Sequence, residues 1–352
     1  MPISPVPSAA DEVAAAVAAA GGALRFDRFM ELALYGEHGF YTTRGRAGRH
    51  RGDFITSPEV GPLFGTVLAR MIDAEWERLG RPADFAVVEV GAGPGTLARA
   101  ITSTWAADPS AHPTRYVAVE TSPVQRDLHP AGVESRADLP AGPITGLVLA
   151  NELLDNLPFR LLVFDGGWRE ASVVDDRGAF VEVLRPLADP PSMLPPSAAH
   201  GARIPWQQAA HDWVVDVRAR LAGGAVVIID YVTPRTAQLA AEPWRNWLRT
   251  YRGHERGAHY LRDVGEQDIT AQVALDQLPE ADEVRTQAQL LLRWGIDELV
   301  EEGRRVWAAA AAAPTVSALA MRSRVREAEA LLEPNGLGGF LSLVYRASSA
   351  GE

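Results

Sequence analysis

Apolar residues fall at helical spacing in one long segment and in short unbroken runs elsewhere, and that contrast sets the expected architecture. Behind Pro62, the residues Leu63, Phe64, Val67, Leu68, Met71, Ile72, Trp76 and Leu79 form one stripe that ends at Gly80 and Pro82. A helix of this kind must bury one face against something large. Phe85 to Val90, Tyr116 to Glu120, Gly146 to Ala150 and Ala225 to Tyr231 are short apolar runs bounded by turn residues, as in strands buried on both faces. Helical or loop segments separate them, starting with a helix over Thr96 to Trp105. That order signals an α/β fold around a parallel sheet, and a further strand is placed near Val133.

Around this core the pattern weakens. Residues 1 to 22 are rich in Ala, Pro and Gly; Ala9 to Ala20 can form a helix, but its near-featureless Ala face predicts loose packing and a mobile start. Phe26 to Leu34 reads as a short helix. An exposed loop follows, punctuated by Gly36, Gly39, Gly45, Gly48 and Gly52 and carrying Arg44, Arg46, Arg49 and Arg51. Trp168 to Val174 and Ala179 to Leu184 alternate around a polar turn and predict a hairpin, with a Pro-rich loop from Pro186 to Pro205 behind it. Residues 232 to 280 are polar and weakly periodic, an expected second insertion over the sheet. Helices are placed near Gln287 to Arg305, a helix end at Ala308 to Ala313, and a last, antiparallel strand at Phe340 to Tyr345. The expected organisation is an N-terminal helical segment at 1–80 that contributes to the site, then one domain at 81–352 with insertions at 163–205 and 232–280.

Composition narrows the function. The 352 residues are 47% hydrophobic and 22% charged, ordinary globular usage, and the net charge is -11, with 45 acidic against 34 basic residues. Such a balance disfavours a general nucleic-acid or anionic-membrane binder, which needs a basic face. The absence of Cys excludes disulfides, thiolate nucleophiles and Cys-ligated zinc. No apolar run is long enough to span a bilayer, and the first basic residue is Arg25, so no targeting segment is expected and a cytoplasmic protein is. His38, His50, His211, His254 and His259 are too scattered to argue a metal site, and no metal is assigned.

The candidate chemistry sits at the ends of the predicted strands. Glu89-Val90-Gly91-Ala92-Gly93-Pro94-Gly95 leaves a strand and opens a helix at Thr96, where glycines let the backbone approach a ligand. Taken alone it is also what a tight strand-to-helix turn looks like. The third glycine at Gly95 departs from the dinucleotide pattern, and acidic Glu89 would repel a pyrophosphate but suits a cationic sulfonium and an amino group. Glu120, at the end of the next strand, can accept ribose hydroxyls, with Thr121 and Ser122 beside it as a helix cap. Asp138, after the strand near Val133, is a candidate for the adenine amino group. Asn151-Glu152-Leu153-Leu154-Asp155 follows the strand ending at Ala150. Its spacing puts Glu152 and Asp155 on one side of a helical turn, able to hold a cationic acceptor or take its proton, although a helix N-terminus also favours acids there. The cofactor these residues suit best is S-adenosyl-L-methionine, bound by Glu89, Gly91, Ala92, Gly93, Gly95, Thr96, Glu120, Thr121, Ser122, Asp138 and Asn151.

Seven ordered blocks extend this. They are Gly52 to Glu59 with Phe64-Gly65, Glu89 to Leu97, Val119 to Pro123, Ala150 to Pro158, Arg249 to His254, Gln267 to Ala271, and Thr286-Gln287 before Gly295-Ile296. Through them the chain resembles the MidA-like methyltransferases, whose mitochondrial member is a protein arginine methyltransferase assisting assembly of respiratory complex I. The resemblance implies a Rossmann-like, seven-stranded class I methyltransferase sheet with inserted substrate-facing elements. It also implies a site formed partly by Gly52 to Glu59, so Asp53 and Glu59 join Glu152 and Asp155 as catalytic candidates. A protein substrate is implied as well, and a homodimer is compatible with it. Departures from the family pattern stand at Ala92 and Pro94 in the glycine loop, and at Thr66, Val232, Gln272, Val273 and Ala274, which are expected to cluster on the acceptor side. They keep open a small-molecule or peptide O- or N-methyltransferase. A cofactor-binding assembly scaffold without catalysis is the reading of another class, and a nicotinamide dehydrogenase is more distant.

Overall fold

The computed structural model describes residues 7–43, 56–108, 110, 112–113, 115–253 and 255–347. Its central sheet has seven strands in the order Glu283–Thr286, Leu341–Arg346, Leu221–Asp230, Ile144–Asn151, Ala86–Val90, Arg115–Val119 and Glu134–Arg136. The five from Leu221–Asp230 to Glu134–Arg136 run parallel, while Leu341–Arg346 is antiparallel to both its neighbours. From Ala86–Val90 the chain builds outward to one side, then returns to lay Ile144–Asn151 on the other. The strand order therefore reverses between these two, and a crevice opens at their carboxyl ends.

Each apolar run forms a strand because both faces are covered. Val87, Leu147, Leu149, Val227 and Ile229 pack under the helix Pro62–Arg78 and the C-terminal helices. Ala86, Val88, Val148, Val226 and Ile228 face the opposite layer, with Val214 and Val217 of the helix Gln208–Ala219. A second sheet joins Leu24–Arg25, Arg160–Phe164, Trp168–Asp176, Ala179–Pro186 and Arg203–Trp206. The expected hairpin is paired from Arg169↔Pro186 to Asp176↔Ala179.

Three expectations change. The helix Ala9–Ala19 is capped by Ser8 and Asp11 and is not loosely packed, since Val13 and Val17 are 0% and 4% exposed. Ala9, Val13 and Val17 recur every four residues, and this narrow stripe suffices because the small residues around it allow close approach to the helix Phe26–Tyr35 and to Trp168–Asp176. Residues 232 to 280 hold a three-stranded sheet, Leu248–Arg252, Glu255–Arg256 and Asp268–Ala271, around fully buried Trp247 and Tyr260. Leu248–Arg252 and Asp268–Ala271 contribute two apolar positions each and Glu255–Arg256 none, too few to register as a period. The Pro-rich loop ends in Arg203–Trp206, where Pro205 sits on the sheet's edge strand. The strand Arg160–Phe164, the helix Gln208–Ala219, the edge strand Glu283–Thr286 and the mostly solvated helix Val316–Leu332 are not among the elements expected from sequence.

Among the described residues, no helix is long and apolar enough to cross a membrane. Replacing Val13 by Ala is expected to lower unfolding free energy by about 2 kcal/mol in urea titration; a change within about 0.5 kcal/mol would mean the first helix does not pack.

Candidate active site

The glycine turn leaves Ala86–Val90 with Gly91, Gly93 and Gly95 at φ 70°, 53° and 73°, a region side chains rarely adopt. Added Cβ atoms at the three positions would meet Leu153 at 3.0 Å, Gln125 at 3.2 Å and Pro130 at 2.9 Å. The N–H groups of Gly91 and Ala92 donate to Val119 O, that of Gly95 to Ala92 O, and that of Gly93 to Glu120 Oε2 at 3.0 Å. These donors end on protein acceptors, one of them a carboxylate, so the turn is no phosphate cradle. Glu120 Oε1 accepts from Ser122 N at 2.8 Å, which ties the acid to the turn before Pro123–Arg126. Glu89 lies below, 5% exposed, accepting from Tyr116 Oη at 2.8 Å. Burial pushes its carboxyl up to about 8, against the bonds from Tyr116 and the Ala98 backbone.

Above the turn is a cavity of about 370 Å³ at the carboxyl ends of Ala86–Val90 and Ile144–Asn151. Glu59, Glu89, Gly91, Ala92, Gly93, Thr96, Glu120, Thr121, Asn151, Glu152 and Asp155 line it. Gly95 and Ser122 shape the turns behind it without lining it. Asp138 does not reach it: the strand ends at Arg136, and Asp138 sits exposed beyond, its carbonyl accepting from Arg136 Nε. Asp53 lies outside the described residues, as do the rest of Gly52 to Ile55, His50 and His254. Thr66, Val232, Gln272, Val273 and Ala274 are not in the lining, so these departures do not cluster on the acceptor side. Gln272 instead accepts from Thr233, and Val273 is core.

Glu152 carries φ 52° and is not on a helical turn with Asp155, since only Leu154–Asn156 coils, as a short 3-10 helix. The cause is Asp230, fully buried at the end of the neighbouring strand. Its Oδ2 accepts from Leu153 N at 3.2 Å and Leu154 N at 2.8 Å, and its Oδ1 from Tyr231 N at 2.7 Å. The turn aims Glu152 Oε1 at Asn151 Nδ2, 3.0 Å, and at Ser57 N, 3.4 Å. Burial, with the charge of Asp155 next, pushes Glu152 up to about 8. Asp155 accepts from Thr270 Oγ1 at 2.5 Å and is raised by burial and by Asp230, itself raised by burial to about 7.

Several lining residues were not among the sequence candidates, although Tyr251 and Asp268 fall within the blocks Arg249 to His254 and Gln267 to Ala271. Tyr35, Phe40 and Tyr41 come from the N-terminal segment, Trp213 from Gln208–Ala219, Tyr251 and Asp268 from the three-stranded insertion, and Gln125 from Pro123–Arg126. Asp268 is held near 6, raised by burial and lowered by bonds from Tyr41 and Asn156. Glu59, Glu89, Glu120, Glu152, Asp155 and Asp268 thus line one cavity, with no Arg, His or Lys among the described lining residues. Buried Gln125 Oε1, Asn151 Oδ1 and Asp155 Oδ1 lack partners, and all three are acceptors. The cavity asks for a ligand rich in donors and positive charge. S-adenosyl-L-methionine, with its sulfonium, amino group, ribose hydroxyls and adenine amino group, meets that demand.

A model of the S-adenosyl-L-methionine-dependent methyltransferase family matches residues 67–292. The mouse mitochondrial protein arginine methyltransferase NDUFAF7 is 28% identical over 283 residues, covering 68% of this chain and 62% of that protein. The mitochondrial homolog of Drosophila melanogaster is 31% identical over 166 residues, 38% of this chain and 37% of that protein. The chain therefore spans less than two thirds of these relatives' length. A solved COG1565 superfamily member from Burkholderia thailandensis, bound to S-adenosyl-homocysteine, is 27% identical with a TM-score of 0.80, covering 99% of this chain and 96% of that one. Because the relatives are named mitochondrial, the cytoplasmic setting expected from sequence draws no support from them.

Buried acids with raised pKa bind more protons folded than unfolded. Their stabilisation is complete below about pH 4 and is lost as pH rises through 6 to 8. The unliganded protein is expected to lose thermal stability from pH 6 to 9, and Glu152→Gln to lose less over pH 7 to 9; parallel melting curves would contradict the assignment. By its match across residues 67–292 and the donor-seeking cavity at its glycine turn, the chain belongs to the S-adenosyl-L-methionine-dependent methyltransferase family.

Proposed function

We propose that this methyltransferase acts on a protein arginine, transferring methyl to a guanidinium nitrogen. The observation that carries the reading is the cavity lined by six carboxylates and by no described cation. Acids so placed stabilise a cation and disfavour an anionic or carboxylate acceptor. The relatives named as protein arginine methyltransferases support it. By the family resemblance, a respiratory complex I subunit or a similar protein is the acceptor we favour.

S-adenosyl-L-methionine supplies an electrophilic methyl group when bound. On its side of the cavity, Gly91, Ala92, Gly93 and Thr96 shape the floor, and Gly95 and Ser122 hold the turns behind. Glu120 accepts the ribose hydroxyls, with Thr121 beside it, and Glu89 faces the positive charge. Asn151 Oδ1 and Gln125 Oε1 take further donors. Across the cavity Glu152 and Asp155 grip the guanidinium, with Glu59 at the rim, and Asp155 Oδ1 is still open to a donor. The walls exclude water and fix the approach, which is most of what an in-line displacement needs.

A methylated guanidinium keeps its charge, so one proton must leave for each methyl transferred. Glu152 takes that proton in this reading. Its carboxyl, raised to about 8 by burial and by Asp155, falls when a cation enters, which leaves the base ready.

Methyl-labelled S-adenosyl-L-methionine incubated with the enzyme and host lysate, followed by acid hydrolysis of the protein fraction, should place label in methylarginine. Label confined to small molecules would overturn the protein reading, and no label in either fraction would leave a scaffold. Glu152→Gln is expected to lower kcat by about 100-fold or more while S-adenosyl-homocysteine affinity stays within about 3-fold; unchanged kcat removes Glu152 from the mechanism.

A further inference from the structure

We propose that acceptor selection rests on an aromatic wall that the N-terminal segment lays against the carboxylates, made of Tyr35 and Tyr41. The inference builds on the arginine reading and adds the residues that choose among cations.

Tyr35 ends the helix Phe26–Tyr35, and Tyr41 belongs to the short helix Phe40–Thr43. Their rings stack with centroids 5.5 Å apart and planes 19° apart, and both line the cavity. Each ring is fixed at its far end. Tyr35 Oη donates to Asn156 O at 3.1 Å, and Tyr41 Oη donates to Asp268 Oδ1 at 2.9 Å. Asn156 Nδ2 donates to the same Asp268 oxygen at 3.0 Å and to Ile269 O at 3.2 Å, so the two tyrosines share one anchor. Phe40 braces Tyr41 edge-on, with centroids 5.1 Å apart. Phe26, Phe29, Met30 and Leu34 bury the helix behind Tyr35 in the second core.

The hydroxyls are engaged, and burial beside Asp268 and Asp155 holds both phenols neutral. What the pair offers a ligand is ring surface beside negative charge. A ring face attracts a cation, and a planar delocalised guanidinium can stack on it while keeping its N–H edge free for carboxylates. An ammonium, compact and strongly hydrated, gains less from the same wall. A neutral or anionic acceptor gains nothing from it. The wall therefore selects arginine over lysine, with residues outside the central sheet.

The test uses the full chain loaded with S-adenosyl-homocysteine and two blocked tripeptides, acetyl-Gly-Arg-Gly-amide and its Lys counterpart, titrated by calorimetry. Wild type should prefer the Arg peptide. Tyr41→Leu should weaken that peptide roughly tenfold and erase the preference, whereas Tyr41→Phe, which keeps the ring and loses the bond to Asp268, should stay within about 3-fold. Affinity for S-adenosyl-homocysteine, unchanged in both, certifies the fold; if Tyr41→Leu fails there, Tyr35→Leu is read in its place by the same criteria. A preference that survives the Leu variant overturns the wall alone. Equal loss in the Phe and Leu variants also overturns it, because the tether and not the ring would then matter. Wild type that treats the two peptides alike overturns the wall and the arginine reading together.

Discussion

A single carboxylate, Asp230, fixes the geometry of the site. At the end of its strand it takes the N–H groups of Leu153 and Leu154 from the adjacent strand's exit and that of Tyr231 from its own. Those two captured amides force the chain through φ 52° at Glu152, a conformation that costs free energy in any residue with a Cβ. From that turn follow the direction of Glu152, the short coil bearing Asp155 and Asn156, and through Asn156 the position of Asp268. Tyr35 and Tyr41 in turn anchor on Asn156 and Asp268. One buried acid thus couples the parallel sheet to the N-terminal segment and to the three-stranded insertion.

Concentrating acids in one cavity has an electrostatic consequence. Burial lifts Glu89, Glu152, Asp230 and Asp268 out of the ordinary carboxylate range, neighbouring acids add to it at the first three, and no described lining residue offers a positive charge against it. Their relief comes with a cation, so ligand charge and site charge complete each other. The glycine turn takes part on the same terms: its Gly93 N–H already rests on Glu120, which leaves the carboxylate and not the backbone as the recognition element.

What was legible in the sequence lies within a few residues of a strongly apolar strand. Glu89 lies one residue inside the end of such a run and Glu120 and Glu152 end or follow one, and the rule that α/β sites gather at the carboxyl edge places them in one crevice. Asp138 was placed by the same rule but is not among the lining residues, since its strand stops at Arg136 and Asp138 is exposed beyond it. The helical pairing of Glu152 and Asp155 failed for a different reason: spacing alone could not reveal a clamp 75 residues and more further along the chain, at Asp230. Tyr35, Tyr41 and Trp213 reach the cavity through tertiary packing of elements with weak periodicity, and no local pattern marks them, whereas Asp268 lies in the Gln267 to Ala271 block without having been singled out. The helix Val316–Leu332 escaped because only Ala318, Glu327, Ala328 and Leu331 of its length are buried.

Asp230 acts on turnover through Glu152. A double-mutant cycle on kcat, with wild type, Asp230→Asn, Glu152→Gln and the double variant all saturated with S-adenosyl-L-methionine, tests it most directly. If Asp230 positions Glu152, the double variant is no slower than Glu152→Gln alone. Losses that multiply, each variant slowing the other by its full factor, would show that Asp230 acts independently of Glu152.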